Sequence, residues 1–541
     1  MRTRNLIIHP LLFALYPALA LYHRNASELG LADVGLPLAA ISLGTTFTWG
    51  LAWLLIRNPA KAALLCSAFW LWFFSFGHCH RVLASAPLHL TVDPTALLPG
   101  WVAVLLVSGL VVLTRKGDLH AASKAANVMA LALVCLPVLA IGSYEGQRYL
   151  TMRQLGRQTA ERASAAALPA GKERPPDIYY LVLDTYGRDD VLKDIYHLDN
   201  TPFLGFLERK GFLVSRRARA NYGQTMLSLA SSLNMTYLDR LTRQVGPAGS
   251  DRLPLTNLLN RNAAFDFLRA RGYLTVGFES GYDVAEMREA DVYLQQSPDR
   301  YQRKVWSTEY VTALLGDTPV SVLAQKQIEH YGRQGYQQAA QFLVDPARQA
   351  HRRIIYTLAT LARFPQPRRP VFVVAHLMCP HPPFTLSDPQ LTSMKVFNSA
   401  DGDTLLGDDP ARIQAYRDRY ALEVQALNLH LQQVIEHLLE LSRGKAIIIL
   451  QGDHGPGSGL HWEDPQRTDM RERLGILQAL YLPGNKGLRL DPEATPVNTF
   501  RTIFRYYFGA HYPPLPNESY FSTWEHPYRL LRVTQAAKRP G

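Results

Sequence analysis

The chain has 541 residues, 47% of them hydrophobic and 19% charged, with four cysteines and a formal net charge of +12. At roughly 100–200 residues per domain this length predicts two to four domains. The composition excludes a disordered chain, a collagen-like chain and a disulfide-rich scaffold, and the positive charge points to an anionic surface, substrate or membrane.

The apolar residues are concentrated before residue 150, in five stretches at about Leu6–Tyr22, Val34–Ile56, Ala62–Phe76, Leu97–Leu113 and Ala125–Ile141. About 20 mainly apolar residues carry a helix across a bilayer. The second, fourth and fifth stretches reach that length with modest extension. The first is short and holds His9 and Pro10, and the third must run on through Gly77, His78 and Cys79. Successive spans do not read as a cleaved signal peptide. Arg2, Arg4, Arg57, Lys61, Arg115, Lys116 and Lys124 fall on one side of these spans, against Arg24 and Arg81 on the other. That bias predicts a cytoplasmic N-terminus and everything after residue 145 outside the cytoplasm. The expected organisation is a transmembrane helical domain over 1–146, a juxtamembrane stem over 147–175 and a catalytic domain over 176–541. The stem is expected to be helical, with Arg148, Arg153, Arg157 and Arg162 either on lipid phosphates or on a solvated face. Cys66, Cys79 and Cys135 fall in spans and only Cys379 lies beyond them, so the soluble part has no internal disulfide.

From residue 176 short apolar runs alternate with helical patterns. Asp177–Asp184, Tyr273–Glu279, Pro370–Leu377 and Ala446–Asp453 read as buried strands, and Ala479–Pro483 as a fifth candidate. Helices are expected near Thr201–Lys210, Leu255–Arg271, Arg352–Arg363 and Ala411–Leu441. The alternation predicts an α/β domain with a mostly parallel central sheet covered by helices. Residues 295–350 fit it poorly and read as an insertion that packs on the core or touches the membrane.

Ligands of open α/β sheets bind beyond the carboxyl ends of strands. One run ends at Asp184, a second leads into His376 and His381, and a third ends at Asp453-His454. Carboxylates and imidazoles are zinc ligands, and carboxylates suit manganese. An Asp in such a place is also a common helix cap. In NYGQTMLSLASSLNM, an apolar helix is expected to begin near Thr225. There its hydroxyl serves either as an N-cap or as a nucleophile in the positive field of the helix terminus. Ser228, Ser231 and Ser232 read as packing residues. On the helix Ala411–Leu441, Tyr420, Gln425 and Asn428 read as a buried or capped polar face rather than a substrate groove.

Together these residues resemble the alkaline phosphatase/sulfatase superfamily, in particular the membrane-anchored phosphoglycerol and phosphoethanolamine transferases that include lipoteichoic acid synthases. NTPFLGFLERKGFLVSR is similar to that superfamily's "TPNLDRLAKEG" region. The resemblance implies one divalent metal, zinc or manganese, held by Asp184, Thr225, Asp453 and His454. It implies Thr225 as the nucleophile, with His381 first and His376 second as the group that protonates the leaving alcohol or binds phosphate. His461 is a candidate substrate-binding residue or an exposed loop histidine. The implied reaction moves a phospholipid head group through phospho-threonine to a glycan or lipid-linked acceptor, with no nucleic-acid partner. The implied location is a bacterial-type inner membrane, crossed several times, with the catalytic domain periplasmic. Asp184 stands where the transferases usually have Glu, and the C-x-P-x-R signature of formylglycine sulfatases is absent around Thr225. A membrane-tethered phosphodiesterase, phosphatase or sulfatase-like hydrolase is the nearest alternative, and a non-catalytic membrane scaffold a further one.

Overall fold

A computed structural model describes residues 6–26, 31–84, 93–117, 119–163, 174–295, 308–316, 318–320, 322–323, 346–364, 368–388, 400–485 and 487–537. The chain divides into two compact units. One is Met1–Tyr149 with Asp299–Val344, and the other is Leu150–Pro298 with Asp345–Gly541.

The first unit is a bundle of α1 (His9–Asn25), α2 (Leu31–Ile56), α3 (Pro59–Ala84), α4 (Pro94–Thr114) and the first part of α5 (His120–Ala163). Among the described residues, four segments are long and apolar enough to cross a membrane: Val34–Ile56, Pro59–His80, Pro94–Thr114 and His120–Gly146. The remaining apolar stretch forms α1, whose 17 residues with an internal Pro17 make it the shortest of the five. At 1.5 Å per residue that is about 25 Å, short of the roughly 30 Å hydrocarbon core. Many apolar side chains of the bundle face outward: α4 has no buried residue, and Leu43 and Phe47 of α2 are exposed. Several buried polar groups are satisfied inside. His9 is buried with Nδ1 2.7 Å from Ser67 Oγ and Nε2 3.0 Å from Ser123 Oγ. Asn127 Oδ1 accepts from the Ile8 and His9 amides. α5 continues unbroken from its apolar half to Ala163.

The second unit is built on a seven-stranded sheet. Its strands are β1 (Ile178–Leu183), β2 (Leu213–Val214), β3 (Leu274–Phe278), β4 (Val292–Leu294), β5 (Val371–Leu377), β6 (Ile447–Gly452) and β7 (Gln478–Tyr481). Their order is β2-β7-β6-β1-β5-β3-β4. β6, β1, β5, β3 and β4 run parallel; at one edge β7 is antiparallel to β6, and β2 is antiparallel to β7. All six residues of β1 are fully buried. Tyr179, Leu181 and Leu183 pack into one layer and Ile178, Tyr180 and Val182 into the other. A strand covered on both faces is apolar throughout, which is why these runs were readable.

The helices of this unit are α6 (Asp189–Tyr196), α7 (Thr201–Arg209), α8 (Thr225–Asn234), α9 (Asp239–Val245), α10 (Leu253–Asn260) and α11 (Ala263–Arg269), then α13 (Pro346–Ala362), α14 (Asp403–Leu406), α15 (Pro410–Leu441), α16 (Met470–Leu474) and α17 (Thr499–Phe508). β8 (Tyr520–Phe521) and β9 (Leu531–Arg532) form a small antiparallel pair. The helix expected over Leu255–Arg271 is two, because Asn262 caps α11 by accepting from the Phe265 amide. α12 (Thr308–Gly316) interrupts the order. It lies in the sequence within the region expected to form the catalytic domain, yet it packs on α1 and α2 of the bundle.

Candidate active site

The register of the sheet places three strand ends side by side. β1 is the central strand of the three, with Leu183 opposite Leu377 of β5 and Gly452 of β6. The residues that follow, or end, these strands therefore share one edge. Asp184, His376 and Asp453 are all buried, and their ligand atoms lie within 4.8 Å of one another. His376 Nε2 is 3.1 Å from Asp184 Oδ2. His454 Nε2 lies 3.8 Å from Asp184 Oδ1 and 3.5 Å from Asp453 Oδ2.

Thr225 joins this group from the other layer. It is the first residue of α8, so its hydroxyl sits among amides that have no intrahelical partner. Its Oγ1 is 3.0 Å from His454 Nε2. The Gly455 carbonyl, 3.0 Å from His454 Nδ1, can only accept, so Nδ1 carries the proton and Nε2 keeps its lone pair. Ser228, one turn along α8, donates to the Asp453 carbonyl at 2.6 Å and ties the helix to the end of β6. Ser231 and Ser232 are buried and donate to the Thr236 and Pro496 carbonyls. The turn after β6 needs Gly455, since a Cβ there would lie 2.0 Å from the Glu472 carbonyl oxygen.

Thr185, just after Asp184, holds a left-handed backbone at φ 65. For a β-branched residue this is strained, at a cost on the order of 1–3 kcal/mol. The surroundings hold it there: its amide donates to Asp453 Oδ1 at 3.2 Å, and its carbonyl accepts from the Tyr420 hydroxyl at 2.7 Å. Tyr420 also accepts from the Gly187 amide. Asn428 bonds Tyr186 and Asn200, while Gln425 is exposed. Tyr420 and Asn428 thus form a buried, satisfied polar face beneath the site.

Asp184 Oδ1 and Asp453 Oδ2 are buried without any hydrogen-bond partner. Buried carboxylate oxygens are otherwise bonded almost without exception. Both lie near His454 Nε2, at 3.8 Å and 3.5 Å, and that nitrogen is itself 3.0 Å from the hydroxyl of Thr225. Two anionic oxygens, an imidazole nitrogen and a hydroxyl fit a divalent cation. Burial opposes ionisation of Asp184, but the positive character of His381, with His376 and His454, holds its carboxyl well below the usual range.

His381 is half-buried, with Nδ1 2.6 Å from the Pro382 carbonyl. It acts electrostatically on both Asp184 and Asp401. His461 is placed differently: its Nδ1 faces Asp403 Oδ2 at 3.6 Å.

The sequence reading missed Arg473 and Asp401. Arg473 is 2% exposed. It donates through Nε to the Gly223 carbonyl at 2.8 Å and through Nη1 to Asp401 Oδ2 at 2.5 Å, and its Nη2 is 3.5 Å from His454 Nε2. Its guanidinium also stacks 5.1 Å from the Trp462 ring centre. Burial opposes ionisation of Asp401, but Arg473, helped by His381 and His454, keeps its carboxyl below the usual range. A fixed positive charge therefore stands beside Thr225. Arg473 follows His454 by 19 residues on a five-residue helix, in no recognisable motif, so the sequence offered no signal for it.

A model of the family described as Sulfatase matches residues 176–501. No curated protein matches the chain. Among solved structures, the C-terminal periplasmic domain of EcEptC from Escherichia coli, in complex with Zn, aligns at 12% identity and a TM-score of 0.41, covering 68% of this chain and 96% of that one. A phosphonate monoester hydrolase from Silicibacter pomeroyi aligns at 16% identity and 0.40, covering 62% and 74%. The putative sulfatase yidJ from Bacteroides fragilis aligns at 15% and 0.37, covering 66% and 84%.

Proposed function

The chain belongs to the sulfatase family, and from that premise we propose that it is a metal-dependent phospholipid head-group transferase. It uses Thr225 as nucleophile, moving phosphoglycerol or phosphoethanolamine to a glycan or lipid-linked hydroxyl outside the cytoplasm of a bacterial-type cell. The observation that carries this reading is the placement of the Thr225 hydroxyl, 3.0 Å from His454 Nε2 and beside two buried carboxylate oxygens without partners.

Asp184, Thr225, Asp453 and His454 would hold one divalent ion, zinc or manganese. When bound, that ion lowers the pKa of the threonine hydroxyl and neutralises phosphate charge. Thr225 Oγ, which has already lost its proton as the alkoxide, forms a bond to phosphorus as the bond to the diacylglycerol oxygen breaks, and His381 gives that oxygen its proton. The acceptor hydroxyl then attacks phosphorus and passes its proton to His381 as the phosphorus–Oγ bond breaks, returning Thr225 as the alkoxide. His376, held against Asp184, orients that carboxylate. Arg473, locked by Asp401 and the Gly223 carbonyl, offers Nη2 to a non-bridging phosphate oxygen. The four apolar segments support this reading because they hold the site near a lipid donor and raise its effective concentration.

The test is the intact mass of the Thr225 peptide from protein purified with native lipid, beside Thr225→Ala. A phosphoglycerol or phosphoethanolamine adduct, absent from the variant, identifies the donor. A bare phosphate adduct favours a phosphomonoester hydrolase. Neither adduct nor metal would sink the mechanism.

A further inference from the structure

The described residues of the insertion between β4 and α13 include none of those named in the site above. Within the bundle, α12 lies against α1 and α2. Its Tyr310 and Leu314 are 2% and 8% exposed, in one cluster with Ala14, Ala18, Tyr22 and Val34. The Tyr310 hydroxyl donates to the Ala18 carbonyl at 2.7 Å. The contact falls on the C-terminal half of α1, the helix too short to reach across an average bilayer unaided. After α12 the chain turns tightly: the Thr318 amide and hydroxyl both bond the Leu315 carbonyl, at 3.0 Å and 2.7 Å. Such local closure is what non-helical backbone requires where water is scarce.

The opposite side of this segment is apolar and uncovered. Leu315, Val320 and Leu323 are 37%, 36% and 54% exposed. They belong to the same unit as α2, on which α12 packs and whose Leu43 and Phe47 are also exposed. In the sequence the segment follows Arg300, Tyr301, Arg303, Lys304 and Trp306, residue types that favour the head-group layer. An exposed apolar patch beside a helix packed on an apolar segment long enough to span a membrane takes the same solvent as that segment.

We propose that residues 308–323 are a lipid-contacting element. In it α12 fills the bundle beside α1, and Leu315, Val320 and Leu323 meet the acyl chains of phospholipid. The occupant is lipid rather than a protein partner because the patch adjoins a helix packed on α2, an apolar segment long enough to span a membrane, and its flanking sequence is cationic and aromatic. The region whose sequence carries the catalytic residues thus enters the membrane unit a second time, after α5. This inference does not depend on which reaction the site performs.

The test places a nitroxide on the full-length protein at Val320→Cys or Leu323→Cys, with Cys79 and Cys135 replaced by Ser; Cys66 and Cys379 are buried. The protein is reconstituted in vesicles of phosphatidylethanolamine and phosphatidylglycerol. Collision of the label with oxygen is compared with collision with a water-soluble nickel chelate. Labels at Leu43→Cys and Leu422→Cys, both exposed, supply the lipid and water references. Dominant oxygen collision, as at Leu43→Cys, supports the proposal. Dominant nickel collision overturns it, and so does suppression of both, which would mean that protein covers the patch. Wild-type protein with a phosphatidylglycerol photoreactive in its acyl chain tests the same point without substitution. Crosslinks on 308–323 support the proposal, and crosslinks on α2 with none on 308–323 overturn it.

Discussion

Buried polar groups are treated differently in the two units. In the helical bundle several are spent on a neighbour, although the Trp70 indole N–H is not: both ring nitrogens of His9 meet serines, Asn127 closes the start of α1, and Thr45 bonds the Ile41 carbonyl one turn back. At the sheet edge, Asp184 Oδ1, Asp453 Oδ2 and His376 Nδ1 are buried together with no hydrogen-bond partner. A polar group left unpaired costs about 1–3 kcal/mol, more if charged. The bundle therefore uses its polar atoms as glue, while the sheet edge retains an unbalanced negative site that a cation would complete.

Several substitutions separate these two uses. Thr225→Ala should have the largest effect, lowering head-group release from labelled phospholipid by about a thousandfold or more, with the sheet intact by circular dichroism. Asp401→Asn should come next. It leaves Arg473 buried and unpaired, at a cost of about 3–5 kcal/mol, read as a lower unfolding midpoint. Because the Asp401 carboxyl is held below its usual range, its contribution is present above the ordinary carboxylate pKa and lost as pH falls toward the folded value. The gap between wild type and variant should therefore close in acid. Zinc or manganese at a hundred times its dissociation constant should stabilise wild type by about 2.7 kcal/mol. That thermal shift should vanish in Asp453→Asn; an undiminished shift would place the ion elsewhere. His9→Leu should have the smallest effect, about 1 kcal/mol or less, because Ser67 and Ser123 can each turn to a carbonyl of their own helix. A loss as large as that of Asp401→Asn would show that His9 does more than join helices.

What could be read from the sequence follows the same physics. The doubly covered strands β1, β3, β5 and β6 were legible as apolar runs, and their ends carried Asp184, His376, Asp453 and His454. The helix start at Thr225 was legible from Gly223 and the apolar pattern behind it. The short edge strands β2 and β4 lacked enough residues for a period to emerge. The break between α10 and α11 had a signal in Asn262, a capping residue within an otherwise continuous pattern. Arg473 and Asp401 had none: each matters through a contact spanning 72 residues, which no local spacing records.

The position of α12 bears on how the protein can be cut loose. Most membrane-anchored domains are shed by a single cleavage in the stem. Here a cut between Ala163 and Arg174 would leave the fragment from 174 onward still docked to the bundle through the Tyr310 and Leu314 contacts with α1 and α2. Release into solution would require a second cut on each side of α12, or a solvent that dissolves its packing. After one cleavage, the catalytic fragment should sediment with the membranes and come off only in detergent.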